Sequence, residues 1–276
     1  MKHLLIISVL LIFLFSCGNS NNANKTKPIV IKEILIHCGS TMEKPIIELA
    51  NIFENRENCI VKITTGGSGN LYNSIKSNKT GDIFIPGLEK YIKNGIKDGF
   101  INEAIFVGIN KAAIMVKKGN PKNIEQTISC LSDERYKIVI GNPDYGSIGK
   151  ETKSTLQNIG IFDDVNNRAE YLTIDSRDLI KAIRSNEADI IINWFATSTW
   201  NENIDFVEVL DTKEDIFEEK NIYIATLLYS QYPLIAKKFI EFASSEKGKS
   251  IFQKYGLYNK HTTNKLININ LQSNEK

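Results

Sequence analysis

Glu33-Ile34-Leu35-Ile36-His37-Cys38-Gly39-Ser40-Thr41, followed by apolar positions at Pro45, Ile46, Leu49, Ala50 and Phe53, is the stretch from which the fold can be read. The continuous run Ile34-Leu35-Ile36 is the pattern of a strand covered on both faces in a parallel sheet. A Gly-Ser-Thr turn follows, and Pro45 falls in the first turn of the next helix, where its missing N–H is no loss. The same grammar recurs. Ile60–Thr65 predicts a strand, Gly66-Gly67-Ser68-Gly69 a turn, and Leu71 and Ile75 the face of a second helix, while Asp82–Ile85 predicts a third short strand before Pro86-Gly87. Further on, strand Lys137–Ile140 leads through the loop Gly141–Gly146 to Ser147, which opens a helix with Ile148, Thr152 and Leu156 spaced by four. Tyr171–Ile174 runs into Asp175-Ser176 and the stripe Leu179, Ile180 and Ile183, and Asp189–Trp194 is a further apolar strand. Strands alternating with helices predict βαβ units around a mainly parallel sheet, the α/β class.

Two apolar segments stand apart from this grammar, Asn110–Lys118 and Tyr223–Leu228. Both read as crossover strands joining two α/β lobes, each a mainly parallel sheet flanked by helices. Lobe 1 is expected over residues 29–112 plus 227–276, and lobe 2 over 113–226. Past the second crossover, Pro233 starts a helix with Leu234, Phe239 and Ile240 inward, Ser245 caps another bearing Ile251, Phe252 and Tyr255, and Gly256 stops it. The polar segment His261–Lys276 is expected to fray.

The N-terminal segment reads as a processing signal. Leu4–Phe15 is an apolar run of 12 residues after Met1-Lys2-His3, too short for the roughly 20 of a membrane span and within the about 7–15 of a signal peptide. Leu14-Phe15-Ser16-Cys17 resembles the bacterial lipobox, in which a small residue precedes a cysteine that is acylated and becomes the new N-terminus. Residues 1–16 are expected to be a lipoprotein signal peptide and Cys17 the lipid attachment site, against the alternative of a plain secretory signal with an incidental cysteine. Residues 17–28 have almost nothing apolar to bury and read as a flexible tether. The expected product is exported and held at the cell membrane by its lipid alone.

Composition narrows the function classes. Of 276 residues 42% are hydrophobic and 24% charged, a globular balance, and 34 Lys+Arg against 32 Asp+Glu leave no polybasic field for nucleic acid. Cys38, Cys59 and Cys130 cannot pair completely, so the chain is no disulfide scaffold; Cys38 and Cys59 fall in predicted strands, where buried free thiols are the commoner outcome. Gly146-Ser147-Ile148-Gly149-Lys150-Glu151 ends like a nucleotide P-loop, but Asp144 and Glu151 stand where Gly and Ser/Thr are required. Ser68 lies in Gly-Gly-Ser-Gly rather than Gly-x-Ser-x-Gly, and His37 and His261 give no believable Ser-His pair. No spaced His/Cys/Asp cluster suggests a metal site, and no cofactor is expected.

What remains is a repeated donor. Four helices are predicted to begin at Ser or Thr beyond the carboxyl end of a strand, at Ser40/Thr41, Ser68, Ser147 and Ser176. Each helix start offers unpaired N–H groups and the positive end of a helix dipole, and the hydroxyl adds a donor. Singly, each serine is more often a plain cap; Asp144 and Asp175, beside these loops, have turn formation and capping as their bland roles. In an open α/β sheet ligands sit beyond the strands' carboxyl ends, so two facing lobes would aim all four loops at one anion, with Gly67, Gly69 and Gly146 letting backbone approach closely.

At these residues the chain resembles the substrate-binding proteins of bacterial ABC importers, in particular the molybdate/tungstate-binding group. The similarity runs in order through His37–Thr41, Thr65–Gly69, Gly81–Ile85, Val116–Pro121, Ile140–Pro143, Asn186–Ile190 and Phe239–Gly248. It implies the two-lobed periplasmic-binding-protein fold, no enzymatic activity, an oxyanion gripped in the interlobe cleft by neutral donors, and delivery to a membrane permease by a monomer. The family's first-loop and second-loop serines fall on Ser40 and Ser68, its third-loop donor near Ser147 and its fourth-loop backbone donor on Ser176. Where molybdate binders place a Tyr, this chain has Trp194, so either its indole N–H or the hydroxyl of Tyr145 would serve, or the anion is another one. Molybdate or tungstate ranks first, with sulfate and phosphate behind, phosphate wanting for its remaining proton a carboxylate acceptor that Asp144 or Asp175 could be; a deaminase or phosphoryl transferase on the same fold is the rival from another class.

Overall fold

The first group of elements follows the predicted alternation. β1 (Lys32–Gly39), a 3-10 turn at Ser40–Met42, α1 (Glu43–Glu57), β2 (Cys59–Gly66), α2 (Ser68–Asn78), β3 (Ile83–Ile85) and α3 (Glu89–Lys97) succeed one another. β4 (Ile101–Lys117) leads to a second group: β5 (Ile138–Gly141), α4 (Ser147–Asn158), α5 (Phe162–Arg168), β6 (Leu172–Thr173), α6 (Ser176–Arg184), β7 (Ile190–Trp194) and β8 (Val207–Val209). β9 (Glu219–Leu227) returns to the first group, and α7 (Pro233–Ser244), α8 (Glu246–Lys254) and β10 (Leu266–Ile267) follow. This computed structural model describes residues 31–257 and the backbone of β10. The expected signal peptide, Cys17, the tether and most of the polar tail lie outside the described residues.

The strand order is β2-β1-β3-β9-β4-β7-β5-β6. β1 pairs in parallel with β2 and β3, and β5 with β6 and β7, whereas β9 and β4 run antiparallel to their neighbours. These two strands are the crossovers of a two-lobed α/β fold. β4 is longer than the expected Asn110–Lys118. Its first part, Ile101–Lys111, pairs with β9, and Ala112–Val116 pairs with β7, so one strand joins the parallel strands of both groups. Register shifts at Ile101/Glu103 and Phe106/Gly108 interrupt the ladder where polar residues and a glycine break the apolar pattern.

The apolar stripes read from the sequence are buried in α1, α2, α4 and α6. One core joins β1 to α1, α7 and α8 through Ile34, Ile36, Phe53, Phe239 and Phe252, with the Phe53 and Phe239 rings edge to face at 5.0 Å. The other runs from Phe84 and Phe100 through β4 to Ile138, Ile190 and Trp194, continuous across both groups. Leu234 does not face inward as expected: it is 77% exposed. The inward stripe of α7 is Ile235, Ala236, Phe239, Ile240 and Ala243, and Leu234, one position before it, is turned about 100° away. Tyr171–Ile174 shortens to β6, an edge strand with Tyr171 and Ile174 exposed. Cys38, Cys59 and Cys130 are buried free thiols. Burial pushes Cys38 far above the ordinary thiol range and Cys130 to about 12, which leaves them unreactive.

Candidate functional site

The strand-end loops of the two groups meet. Gly39, Ser40, Thr41, Gly66, Gly67, Ser68 and Gly87 from the first group and Gly146, Ser147, Ile148, Asp175 and Ser176 from the second line one small cavity of ≈ 10 Å³. All five candidate hydroxyl residues, Ser40, Thr41, Ser68, Ser147 and Ser176, lie there, each less than a tenth exposed. The serines occupy the first helical position rather than the cap. Gly67 and Gly146 are the N-caps of α2 and α4 and give no side-chain bond. Asp175 caps α6, its carboxylate accepting from the Arg177 N–H at 2.8 Å.

Hydrogen bonds fix these groups against one another. The Gly87 N–H donates to Ser68 Oγ at 3.0 Å. The Trp194 indole N–H donates to Ser147 Oγ at 3.2 Å, and the hydroxyls of Thr41 and Ser176 share a bond of 3.1 Å between the two groups. The Gly69 and Asn70 N–H groups donate to the Tyr145 carbonyl at 2.9 and 3.3 Å. Glycine is required by space here: a Cβ at Gly67 or Gly69 would fall 2.7–2.8 Å from the Tyr145 carbonyl oxygen, and one at Gly87 would fall 2.3 Å from Ser147 Oγ.

Three of the expected site residues do not line the cavity. Gly69 acts through its N–H on Tyr145. Tyr145 offers its carbonyl, while its side chain is 47% exposed. Trp194 is fully buried behind Ser147. Sequence reasoning missed Gly87, which stands beyond β3 as the other glycines stand beyond their strands, and Arg177. The Arg177 guanidinium donates to the Asp175 carboxylate at 2.9 Å, to Thr65 Oγ1 at 3.1 Å and to the Glu43 carboxylate at 3.4 Å, a charged strap from α6 to the first group. It balances the one acidic side chain that lines the cavity.

Two other features are structural. Behind the β1 loop, His37 shares a hydrogen bond with the Thr80 carbonyl at 3.1 Å under Gly81, whose φ is +108° and whose Cβ would meet the ring at 2.5 Å. Burial pushes this imidazole below its ordinary value, outweighing the Thr80 carbonyl and the Asp82 charge. A larger groove lined by Glu89, Lys90, Asp144, Lys150, Glu151 and Lys220 contains none of the strand-end hydroxyls, and Lys220 pairs there with Glu151 and Glu218. Among the described residues no His/Cys/Asp/Glu group could hold a metal ion, and no helix is long and apolar enough to cross a membrane.

Comparison with known proteins agrees with this architecture. The profile of the family described as bacterial extracellular solute-binding protein matches residues 34–258. A Bacillus subtilis protein named as a candidate ABC transporter substrate-binding lipoprotein, YvgL, is 22% identical over 261 residues, covering 92% of this chain and 97% of its own. Among solved structures, the periplasmic molybdate-binding protein of Azotobacter vinelandii superposes with a TM-score of 0.70 at 16% identity, covering 82% of this chain and 99% of its own. The sulfate-binding protein SubI of Mycobacterium tuberculosis gives 0.72 at 15%, covering 82% and 86%. A periplasmic thiamin-binding protein gives 0.74 at 14%, covering 86% of each chain. At these identities the structures share the fold.

Proposed function

The chain belongs to the family of bacterial extracellular solute-binding proteins, and from that premise we propose that it captures a tetrahedral oxyanion for an ABC importer. Molybdate or tungstate ranks first and sulfate or phosphate second. The observation that carries this reading is the meeting of five Ser/Thr hydroxyls and the N-termini of α2, α4 and α6 at one cavity. Each helix start leaves N–H groups without an intrahelical acceptor, and each favours negative charge. No Lys or Arg lines the cavity, and the nearby Arg177 is balanced by Asp175 and Glu43. Such a site binds through donors rather than counter-charge, at roughly 1.5–3 kcal/mol for each charge-assisted hydrogen bond.

In this reading the lobes divide at 112/113 and 226/227, Cys17 carries the lipid, the protein works as a monomer outside the membrane, and the cargo passes to a permease without being changed. Calorimetric titration of the soluble mature chain with molybdate, tungstate, sulfate and phosphate tests it. Saturable binding of at least one oxyanion at one site per chain, lost in Ser68→Ala and Ser40→Ala together, is expected. No binding across the panel would refute it, and turnover of a bound ester would favour the enzyme alternative.

A further inference from the structure

Leu234, Leu228 and Ile31, at 77%, 57% and 52%, are together with Ile174 the most exposed large apolar side chains of the described residues. The first three share one end of the molecule. β1 begins at Lys32, and β9, antiparallel to β3, ends at Leu227, so Ile31 and Leu228 both stand where the parallel strands start. The Leu228 N–H donates to the Phe100 carbonyl at 2.9 Å and the Ser230 hydroxyl to the Asp82 carboxylate, which fixes the loop that leads to Leu234, the second residue of α7. The serine-lined cavity lies at the opposite end of these strands.

The acidic side chains at this end are taken. Glu33 pairs with Lys62 at 4.0 Å, Glu57 with Lys238 at 2.6 Å, Asp98 with Lys76 at 2.7 Å and Glu103 with Lys237 at 3.9 Å. Glu54 and Asp82 accept from the Val61 and Leu35 N–H groups. Lys79, which caps α2, and Lys97, which ends α3, are exposed, as is Lys32, and all three are without a salt bridge among the described residues. The chain that enters at Ile31 adds Lys25 and Lys27 and has no acid between Cys17 and Val30.

Resting on the lipid-anchor reading of Cys17, we propose that this end is a membrane-contacting surface: Ile31, Leu228 and Leu234 enter the headgroup region of an anionic bilayer, Lys32, Lys79 and Lys97 face its phosphates, and the cavity is held on the side away from the lipid. Where the chain enters selects the occupant. Ile31 follows Cys17 by 14 residues, at most about 50 Å of extended chain, so an acyl group on Cys17 keeps a bilayer permanently within reach of this end. Exposed apolar side chains gain by burial in the interface, and each lysine near an anionic surface strengthens contact about fivefold. The acyl group attaches the protein, and this surface orients it.

The test uses the full acylated chain in vesicles of phosphatidylcholine with about one quarter phosphatidylglycerol and a trace of headgroup-nitroxide lipid. Cys38, Cys59 and Cys130 are buried, so a fluorophore goes to Gln231→Cys, beside the leucines, or to Gln157→Cys, near the end of α4 in the second group. Quenching at position 231 should exceed that at position 157 by at least about threefold. Leu228→Ser with Leu234→Ser should bring the two together, and Lys79→Gln with Lys97→Gln should do so in part, in anionic vesicles only. Equal quenching at both positions of an acylated chain, or a difference that survives the leucine pair, would overturn the proposal; a dimer in sedimentation would then give the leucines to a second copy. A chain without acyl groups by mass spectrometry defeats the lipid-anchor reading and this inference with it.

Discussion

If the two groups of elements close on the ligand and part without it, Gly69→Ala should weaken the ligand-bound form while leaving the free protein at least as stable. The added methyl would stand 2.8 Å from the Tyr145 carbonyl oxygen and 3.0 Å from that of Asp144. Both are backbone atoms of the facing loop and cannot step aside by changing rotamer. The loops would have to stop short of contact, so the Gly69 and Asn70 N–H bonds to Tyr145 would be lost or lengthened. At a net 0.5–1.5 kcal/mol each, with the 3.3 Å bond at the low end, the loss is about 1–2 kcal/mol, or roughly 5- to 30-fold in affinity. Gly69 is the second residue of α2, where alanine favours the helix by about 0.5–1 kcal/mol. The two effects therefore have opposite signs in the two states. Calorimetry with molybdate and a thermal melt of the free protein separate them. Unchanged affinity would refute the steric argument, and a free protein destabilised in step with affinity would show that the seam forms with or without ligand.

Three more outcomes are expected. Arg177→Ala leaves the Asp175 carboxylate unneutralised beside the cavity, so anion affinity should fall, and Asp175→Asn in the same chain should restore part of it; unchanged calorimetric affinity in Arg177→Ala would contradict this. Burial holds His37 below the ordinary imidazole value, so the unfolded chain takes up a proton near pH 6.5 that the folded chain refuses. Stability should fall as pH drops from about 6.5 toward the lower folded value, and His37→Gln, which can still donate to Thr80, should flatten that slope in urea titrations between about pH 6.5 and 5. Cys17→Ala should abolish detergent partitioning of the expressed protein with anion binding intact, and a wild-type mature chain without acyl groups by mass spectrometry would end the lipid-anchor reading.

The fold was legible where burial leaves a period in the sequence. β1, β5 and β7 are covered strands and print as apolar runs, and the helices between the strands bury stripes at three- and four-residue spacing. Elements that bury little were not legible: α3 buries Tyr91, Ile92 and Gly95, α5 only Phe162 and Val165, and β8 is three residues long. The start of β4 was hidden for another reason. Its apolar pattern is broken at Asn102-Glu103 and at Gly108, where its register with β9 shifts.

The site was legible as a set of serines but not as a set of roles, and the difference lies in one residue of register. A serine at the N-cap turns its oxygen back onto its own helix's N–H groups and is used up there. A serine one position later, behind a glycine that caps with backbone alone, keeps both its N–H and its hydroxyl facing outward. Gly39-Ser40, Gly67-Ser68 and Gly146-Ser147 all follow this order, and in Asp175-Ser176 the aspartate takes the capping role instead. The dipeptide order was therefore a local signal that these hydroxyls are not caps. Their proton directions were beyond reach of any local reading, because the donors that set them arrive from Gly87, 19 residues after Ser68, and from Trp194, 47 residues after Ser147. The parallel pairing of both β2 and β3 with β1, and of β5 with β7, carries those donors to the same end of the sheet as the hydroxyls they orient.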